Sequence, residues 1–268
     1  MMAAAALAVS DATLVEGNAG SQYAALNVSL STPSAKTVQV NYNTADGTAK
    51  AGSDYKAVSG TLTFASGETR KSILIPVQGD RLAEINENFF VNLRAAKGAN
   101  IADGQGAVSI VDNEPRISIT DAWGPEGDSG TTPFTFTVRL SAAYDQAITV
   151  NFATADGSAR LDDWAGPDYV ATSGTLTFAP GETTKTITVH VVGDTVFESS
   201  STQQFYVNLS GASTNALLID NQGVGSIWND EAQEYVDPYW DGYGYVDPCL
   251  FYNCHPDGGG YDGGEVNP

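Results

Sequence analysis

The sequence predicts an all-β chain: two tandem immunoglobulin-like β-sandwiches of seven antiparallel strands each, followed by an irregular C-terminal tail. Three observations carry this. Apolar residues alternate with polar ones at period two, and no stretch shows helical spacing. The sequence repeats itself at an offset of 110 to 116 residues, the size of one immunoglobulin-like unit. The composition, with 28 Gly, 11 Pro, 12 Tyr, 10 Phe and 4 Trp but only 16% charged residues, is rich in turn formers and aromatics and unlike a disordered polyanion.

The first unit, residues 5–114, opens at Ala8-Val9-Ser10-Asp11 and runs through alternating strands at Leu26, Val28, Leu30, then Val38, Val40, Tyr42, then Ile73, Ile75, Val77, with a later ladder at Phe89, Val91, Leu93. The second, residues 115–231, repeats the pattern at Phe134, Phe136, Val138, Leu140, at Ile148, Val150, Phe152, and at Ile187, Val189, Val191. About seven short strands between Gly, Pro, Asp and Ser turns imply two antiparallel sheets packed face to face in each unit. Tyr42–Ala49 returns as Phe152–Ala159 at an offset of 110, and Ser59–Phe64 as Ser173–Phe178 at 114. Phe89, Val91 and Leu93 return as Phe205, Val207 and Leu209 at 116, so the additions fall near Leu161–Trp164 and Ser199–Thr202, both polar loops that tolerate insertion. Asp46-Gly47 and Asp156-Gly157 read as tight turns in which glycine accepts positive φ. The linker around Pro115 is almost absent, which limits relative motion of the units. Residues 232–268 turn to Tyr, Asp, Gly and Pro with no strand periodicity.

Charge excludes some classes of partner. With 12 Lys+Arg against 32 Asp+Glu the formal charge is -20 and the isoelectric point about 4.1, so phosphate backbones and anionic lipid heads are repelled and nucleic acid is excluded as a partner. No apolar run reaches the ~18–20 residues of a membrane-spanning helix. The opening MMAAAALAVSD lacks the basic leader and long apolar run of a signal peptide, and the export route stays open. Cys249 and Cys254 lie in the tail, where they close a short loop in an oxidising setting or one bonds to another subunit. His190 sits between Val189 and Val191 on a strand and His255 in the tail, with no relay or zinc partner, so the chain reads as non-enzymatic. Glu68 and Glu182, in Gly-Glu-Thr turns, read as turn residues.

The remaining acids recur at strand ends. In the first unit Glu16 precedes Gly17, Asp54 precedes Tyr55, Asp80, Glu84 and Glu87 follow the Ile73–Val77 strand, and Asp112, Asn113 and Glu114 end the last strand. Turns of a sandwich gather at its poles, so these oxygens converge although they are distant in sequence. Two like charges about 4 Å apart repel by roughly 1 kcal/mol in water and about 4 kcal/mol at an effective dielectric near 20. A hard divalent cation relieves this, and calcium, which takes six to eight oxygens in flexible geometry, fits loop carboxylates better than magnesium or zinc.

The combination of Glu16-Gly17, Tyr42-Asn-Thr-Ala-Asp-Gly-Thr-Ala49, Ala51-Gly-Ser-Asp-Tyr55, Ser59-Gly-Thr-Leu-Thr-Phe64, Gly67-Glu-Thr69, Gly79-Asp80, Glu84-x-x-Glu87-x-Phe89 and the closing Ile110-x-Asp-Asn-Glu114 resembles the Calx-beta domain. The second unit resembles another copy. The resemblance implies a seven-stranded immunoglobulin-like sandwich, found in the regulatory region of sodium/calcium exchangers, in integrin β4 and in bacterial surface and secreted proteins, with Ca2+ at one end in the calcium-binding members. It implies Glu16, Asp54, Asp80, Glu84, Glu87, Asp112 and Glu114 as ligands in the first unit, with Asn113 offering its amide oxygen. In the second unit Glu126, Asp168, Asp194, Glu198, Asp230 and Glu231 match, while Gln203 and Asn229 replace acids and weaken the site. Gly79 stands where relatives often carry another Asp, which implies fewer ions. Calcium at the first pole also braces the second unit, through Asp121 or a carbonyl near Pro115.

These readings lead to a non-catalytic, calcium-binding structural or adhesive module of an extracellular bacterial protein, at the cell surface or secreted, with Ca2+ at the interdomain junction and another protein, a surface glycan or a further copy of itself as partner. The alternatives are a regulatory calcium sensor, or a subunit of a surface filament built by edge-strand pairing. The tail reads as a flexible acidic segment, with ligand binding or self-association as the other reading.

Overall fold

The computed structural model describes residues 5–162, 166–196 and 200–230, and both sandwiches lie in one compact unit that ends at Asp230. Glu198, Glu231, Cys249, Cys254 and the tail lie outside the described residues. The first sandwich comprises β1 (Ala6–Val9), β2 (Ala12–Val15), β3 (Ser21–Leu30), β4 (Val38–Asp46), β5 (Ser59–Phe64), β6 (Arg70–Gln78), β7 (Glu87–Lys97), β8 (Asn100–Asp103) and β9 (Gln105–Val111). One sheet runs β6-β3-β1-β8 and the other β2-β9-β7-β4-β5. The second sandwich comprises β10 (Arg116–Ile119), β11 (Ala122–Pro125), β12 (Gly130–Leu140), β13 (Ile148–Asp156), β14 (Ser173–Phe178), β15 (Thr184–Gly193), β16 (Thr202–Ser210), β17 (Leu217–Leu218) and β18 (Gln222–Trp228). Its sheets, β15-β12-β10-β17 and β11-β18-β16-β13-β14, repeat the same order.

The period-two pattern decides which face is inside. Leu26, Val28, Val38, Val40, Ile75, Val77, Phe89 and Val91 are fully buried in one core, and Phe136, Val138, Ile148, Val150, Val189, Val191, Phe205 and Val207 in the other. Each core therefore closes on its own strands, which is what lets the repeat act as an independent folding unit. Tyr55 stacks on Phe89 at 3.9 Å and Tyr169 on Phe205 at 4.7 Å, so each loop before the β5 or β14 strand is pinned by an aromatic plug.

Two features depart from the expected seven antiparallel strands. The opening strand is split: β1 pairs antiparallel with β3, then the chain crosses at Ser10-Asp11 and β2 pairs parallel with β9. The short β8 adds a second parallel pair, with β1. The split lets one opening segment pair in both sheets, β1 between β3 and β8 in one and β2 at the edge beside β9 in the other. Asp11 fixes the crossing by accepting the Ala107 N–H at 2.8 Å, and Asp121 does the same with Val224 at 2.8 Å. Asp121 is thereby committed to the crossing of its own sandwich.

Gly47 and Gly157 do not adopt positive φ. They are required for closeness instead: a Cβ on Gly47 would sit 2.5 Å from the Asn88 carbonyl oxygen, and one on Gly157 2.3 Å from that of Gln204. Asp46 and Asp156 each accept a hydrogen bond from the hydroxyl of the aromatic plug, Tyr55 and Tyr169, and so have a structural role.

Candidate metal centre

One end of the first sandwich collects seven carboxylates from four separate segments. Glu16 follows β2, and Gly17, at φ 80°, turns the chain away while the Glu16 side chain stays buried. Asp54 sits in the loop after β4, held by the Lys50 N–H at 2.6 Å. Asp80 and Glu84 lie on the connection from β6 to β7 and Glu87 opens β7, with Asp80 capping the Leu82 N–H at 2.7 Å. Asp112 and Glu114 follow β9, and Asp112 accepts the Glu84 N–H at 2.9 Å, tying two of the segments together.

Two triads result. Glu16, Asp112 and Glu114 each place a carboxylate oxygen within 4.8 Å of the others, as do Asp54, Glu84 and Glu87. The first triad is deeply buried, with exposures of 6%, 8% and 3%, and the second is half-buried. Asp80 and Glu84 join them electrostatically. Burial, then the charges of Asp80, Glu114, Asp112 and Glu84, push the Glu16 carboxyl up to about 8. Burial and the charges of Asp54, Asp80 and Asp112 raise Glu84, and burial with Asp54 pushes Glu87 up to about 7, with Lys50 opposing. Glu114 is raised by burial and by the neighbouring Asp112 carboxylate, through a side-chain hydrogen bond and its charge, a shift that the Tyr144 hydroxyl opposes.

The buried triad is short of partners. Glu16 Oε1, Asp112 Oδ2 and Glu114 Oε2 are buried without a hydrogen-bond donor, and an uncompensated buried carboxylate oxygen is costly. Arg116 comes within 3.9 Å of Asp112 Oδ2, too far for a hydrogen bond, and Arg81, next to Asp80, turns outward to Asp145. The donor set is all oxygen and anionic, which fits a hard cation of the calcium class.

The amide of Asn113 has another task. Its Oδ1 accepts the Gly17 N–H at 2.8 Å and its Nδ2 donates to Asn18, so it closes the turn behind Glu16. Gly79 is likewise structural: a Cβ there would lie 2.2 Å from the Gly17 carbonyl oxygen and 2.7 Å from that of Glu16. The close approach that seats Glu16 in the cluster leaves no room for a side chain at position 79.

The second sandwich carries a thinner version. Glu126 and Asp168 are buried, Asp168 accepting the Arg160 N–H at 2.6 Å as Asp54 does that of Lys50. Asp194 caps Val196 at 2.7 Å, and Asp230 takes the place of Asn113, accepting the Gly127 N–H at 3.0 Å. Among the described residues these acids form no triad like those of the first sandwich.

The first pole also touches the second sandwich. Tyr144 donates to Glu114 at 3.0 Å, Arg81 binds Asp145 through both guanidinium nitrogens and lies 5.6 Å from the Tyr144 ring centre, and the Ala83 N–H donates to the Thr214 carbonyl at 2.8 Å. None of these contacts is evident from spacing. A signal existed in the repeat, because Tyr144 and Asp145 replace Ser34 and Ala35, and Arg81 aligns with Thr195.

Comparison with known proteins finds the same twofold repeat. The Calx-beta domain model matches twice, over residues 7–114 and 126–227. Sodium/calcium exchanger 2 of Homo sapiens is 34% identical over 213 residues, covering 70% of this chain and 22% of the exchanger, and sodium/calcium exchanger 1 of Canis lupus familiaris is 32% identical over 191 residues, covering 62% and 19%. The chain thus spans about a fifth of these relatives' length. A crystal structure of CBD12 from CALX1.2 aligns with a TM-score of 0.44 at 22% identity, covering 78% of this chain and 81% of that one. With two matches that together take in most of its length, the chain belongs to the Calx-beta domain family as a tandem pair.

Proposed function

We propose that the chain is a non-catalytic calcium-binding module whose principal site is the acidic pole of the first sandwich, with the ion bracing the junction to the second. The observation that carries this is the buried triad of Glu16, Asp112 and Glu114, which presents three carboxylate oxygens without donors. Asp54, Asp80, Glu84 and Glu87 extend the ligand set outward. The second sandwich, through Glu126, Asp168, Asp194 and Asp230, is the weaker site. Bound calcium would neutralise the cluster and stiffen the loop that carries both Asp80 and the interdomain residue Arg81. The role that suits such a brace is structural or adhesive, in an extracellular bacterial protein. Kinship with exchangers keeps a regulatory sensor as the second reading.

The test is thermal unfolding of the chain in EGTA and in about 2 mM calcium, with magnesium as control, followed by calorimetric titration. A site with a dissociation constant of about 20 µM adds about 2.7 kcal/mol under these conditions. An affinity of about 0.1–1 mM fits a brace in an extracellular setting, and one of about 0.1–10 µM fits a sensor. Equal melting in calcium and EGTA, with no binding heat, refutes both.

A further inference from the structure

We propose that Tyr144, a residue of the second sandwich, is a positioning residue for the cation cluster of the first. The inference rests on the cation reading above and adds a contribution from across the domain boundary. Tyr144 is 7% exposed and its hydroxyl donates to Glu114 Oε1 at 3.0 Å. Asn113 Nδ2 approaches the same oxygen at 3.4 Å, while Oε2 is buried with no donor. Donors on one oxygen and none on the other fix the rotation of the carboxylate and leave Oε2 as the atom available to an ion.

The tyrosine is itself held in place. The Arg81 guanidinium lies against its ring, and Arg81 is anchored by its two bonds to Asp145. The repeat shows that this side chain is not needed to build its loop. In the first sandwich Ser34 occupies the equivalent position and its carbonyl accepts the Gly67 N–H at 2.9 Å, just as the Tyr144 carbonyl accepts that of Gly181 at 2.8 Å. The backbone is the same with a serine. What the tyrosine adds is reach into the neighbouring sandwich, and the atom it reaches belongs to Glu114.

The experiment is calorimetric titration of the full chain with calcium, comparing wild type, Y144F, E114Q and the Y144F/E114Q double variant. Phenylalanine keeps the ring beside Arg81 and removes the hydroxyl, which donates to Glu114 and also meets Arg81. Loss of a partner of a metal ligand weakens affinity about 10- to 100-fold, and about tenfold is expected for Y144F because Asn113 remains. In the E114Q background Y144F should change affinity less than about twofold, since the carboxylate it acts on is gone. A Y144F cost of the same size in both backgrounds marks a merely structural role and overturns the inference. So does wild-type affinity in Y144F, and in either case calcium binding by wild type leaves the cation reading standing. Wild type that binds no calcium overturns both.

Discussion

Calcium binding at the first pole should expel protons in a number that the structure sets. With Glu16 at about 8 and Glu87 at about 7, the two carboxyls together hold about 1.9 protons at pH 6 and about 0.6 at pH 8. A cation requires the charged forms, so these protons leave on binding, and apparent affinity rises roughly 500-fold between pH 6 and pH 8 by linkage. The sign for the cation-free protein is opposite. Both pKa values are raised above those of the unfolded chain, so the native state holds protons that the unfolded state has released, and stability falls as pH climbs from about 4.5 towards 8. Titration calorimetry in two buffers of different ionisation enthalpy reads the proton count directly at each pH. Glu16→Gln should roughly halve the release at pH 6. Heats that do not depend on the buffer, with an affinity flat between pH 6 and pH 8, would refute the assignment of these two carboxyls to the site.

Asp80→Asn with Asp112→Asn should abolish the calcium-dependent rise in melting temperature yet leave the EGTA melting temperature at pH 8 unchanged or higher, because like charges are removed while an amide oxygen at position 112 still accepts the Glu84 N–H. A large fall in EGTA would show that the pair supports the fold instead. Gly79→Ala should cost about 1–3 kcal/mol in denaturant unfolding, since its Cβ meets the Gly17 carbonyl at 2.2 Å. Gly79→Asp should fail to add an ion, as titration stoichiometry would report. Phe205→Ala, which removes a fully buried ring packed against Phe134, Phe136 and Tyr169, should cost about 3–5 kcal/mol. Because the two cores are separate, calorimetric melting should then split, with the second sandwich unfolding first.

The sandwiches were legible because burial follows the period-two pattern with little interference. Residues such as Leu26, Val40, Ile75 and Phe205 face inward wherever the alternation places them. The acids at strand ends were legible for a related reason: turns of a sandwich meet at its poles, so recurrence at turns implies convergence in space. What escaped the sequence depends on distances shorter than a side chain or on contacts between units. Spacing cannot tell a glycine that needs positive φ from one that needs room, as at Gly47 and Gly79. Nor could it show that Asn113 spends its amide on Gly17 and Asn18, or that Tyr144 rather than Asp121 reaches the first pole. The split of the opening strand was also hidden, since four residues on each side of Ser10-Asp11 read as a single continuous strand.

That split strand has a mechanical consequence. In each sandwich the strand beside the last one runs parallel to it, β2 along β9 and β11 along β18. A chain pulled from both ends loads such a pair along its length, so the bonds between the two strands share the strain and must fail together. An antiparallel terminal pair would open one bond at a time, like a zipper. Each sandwich therefore resists stretching through its exit strand and the second half of its split opening strand, which lie side by side and parallel.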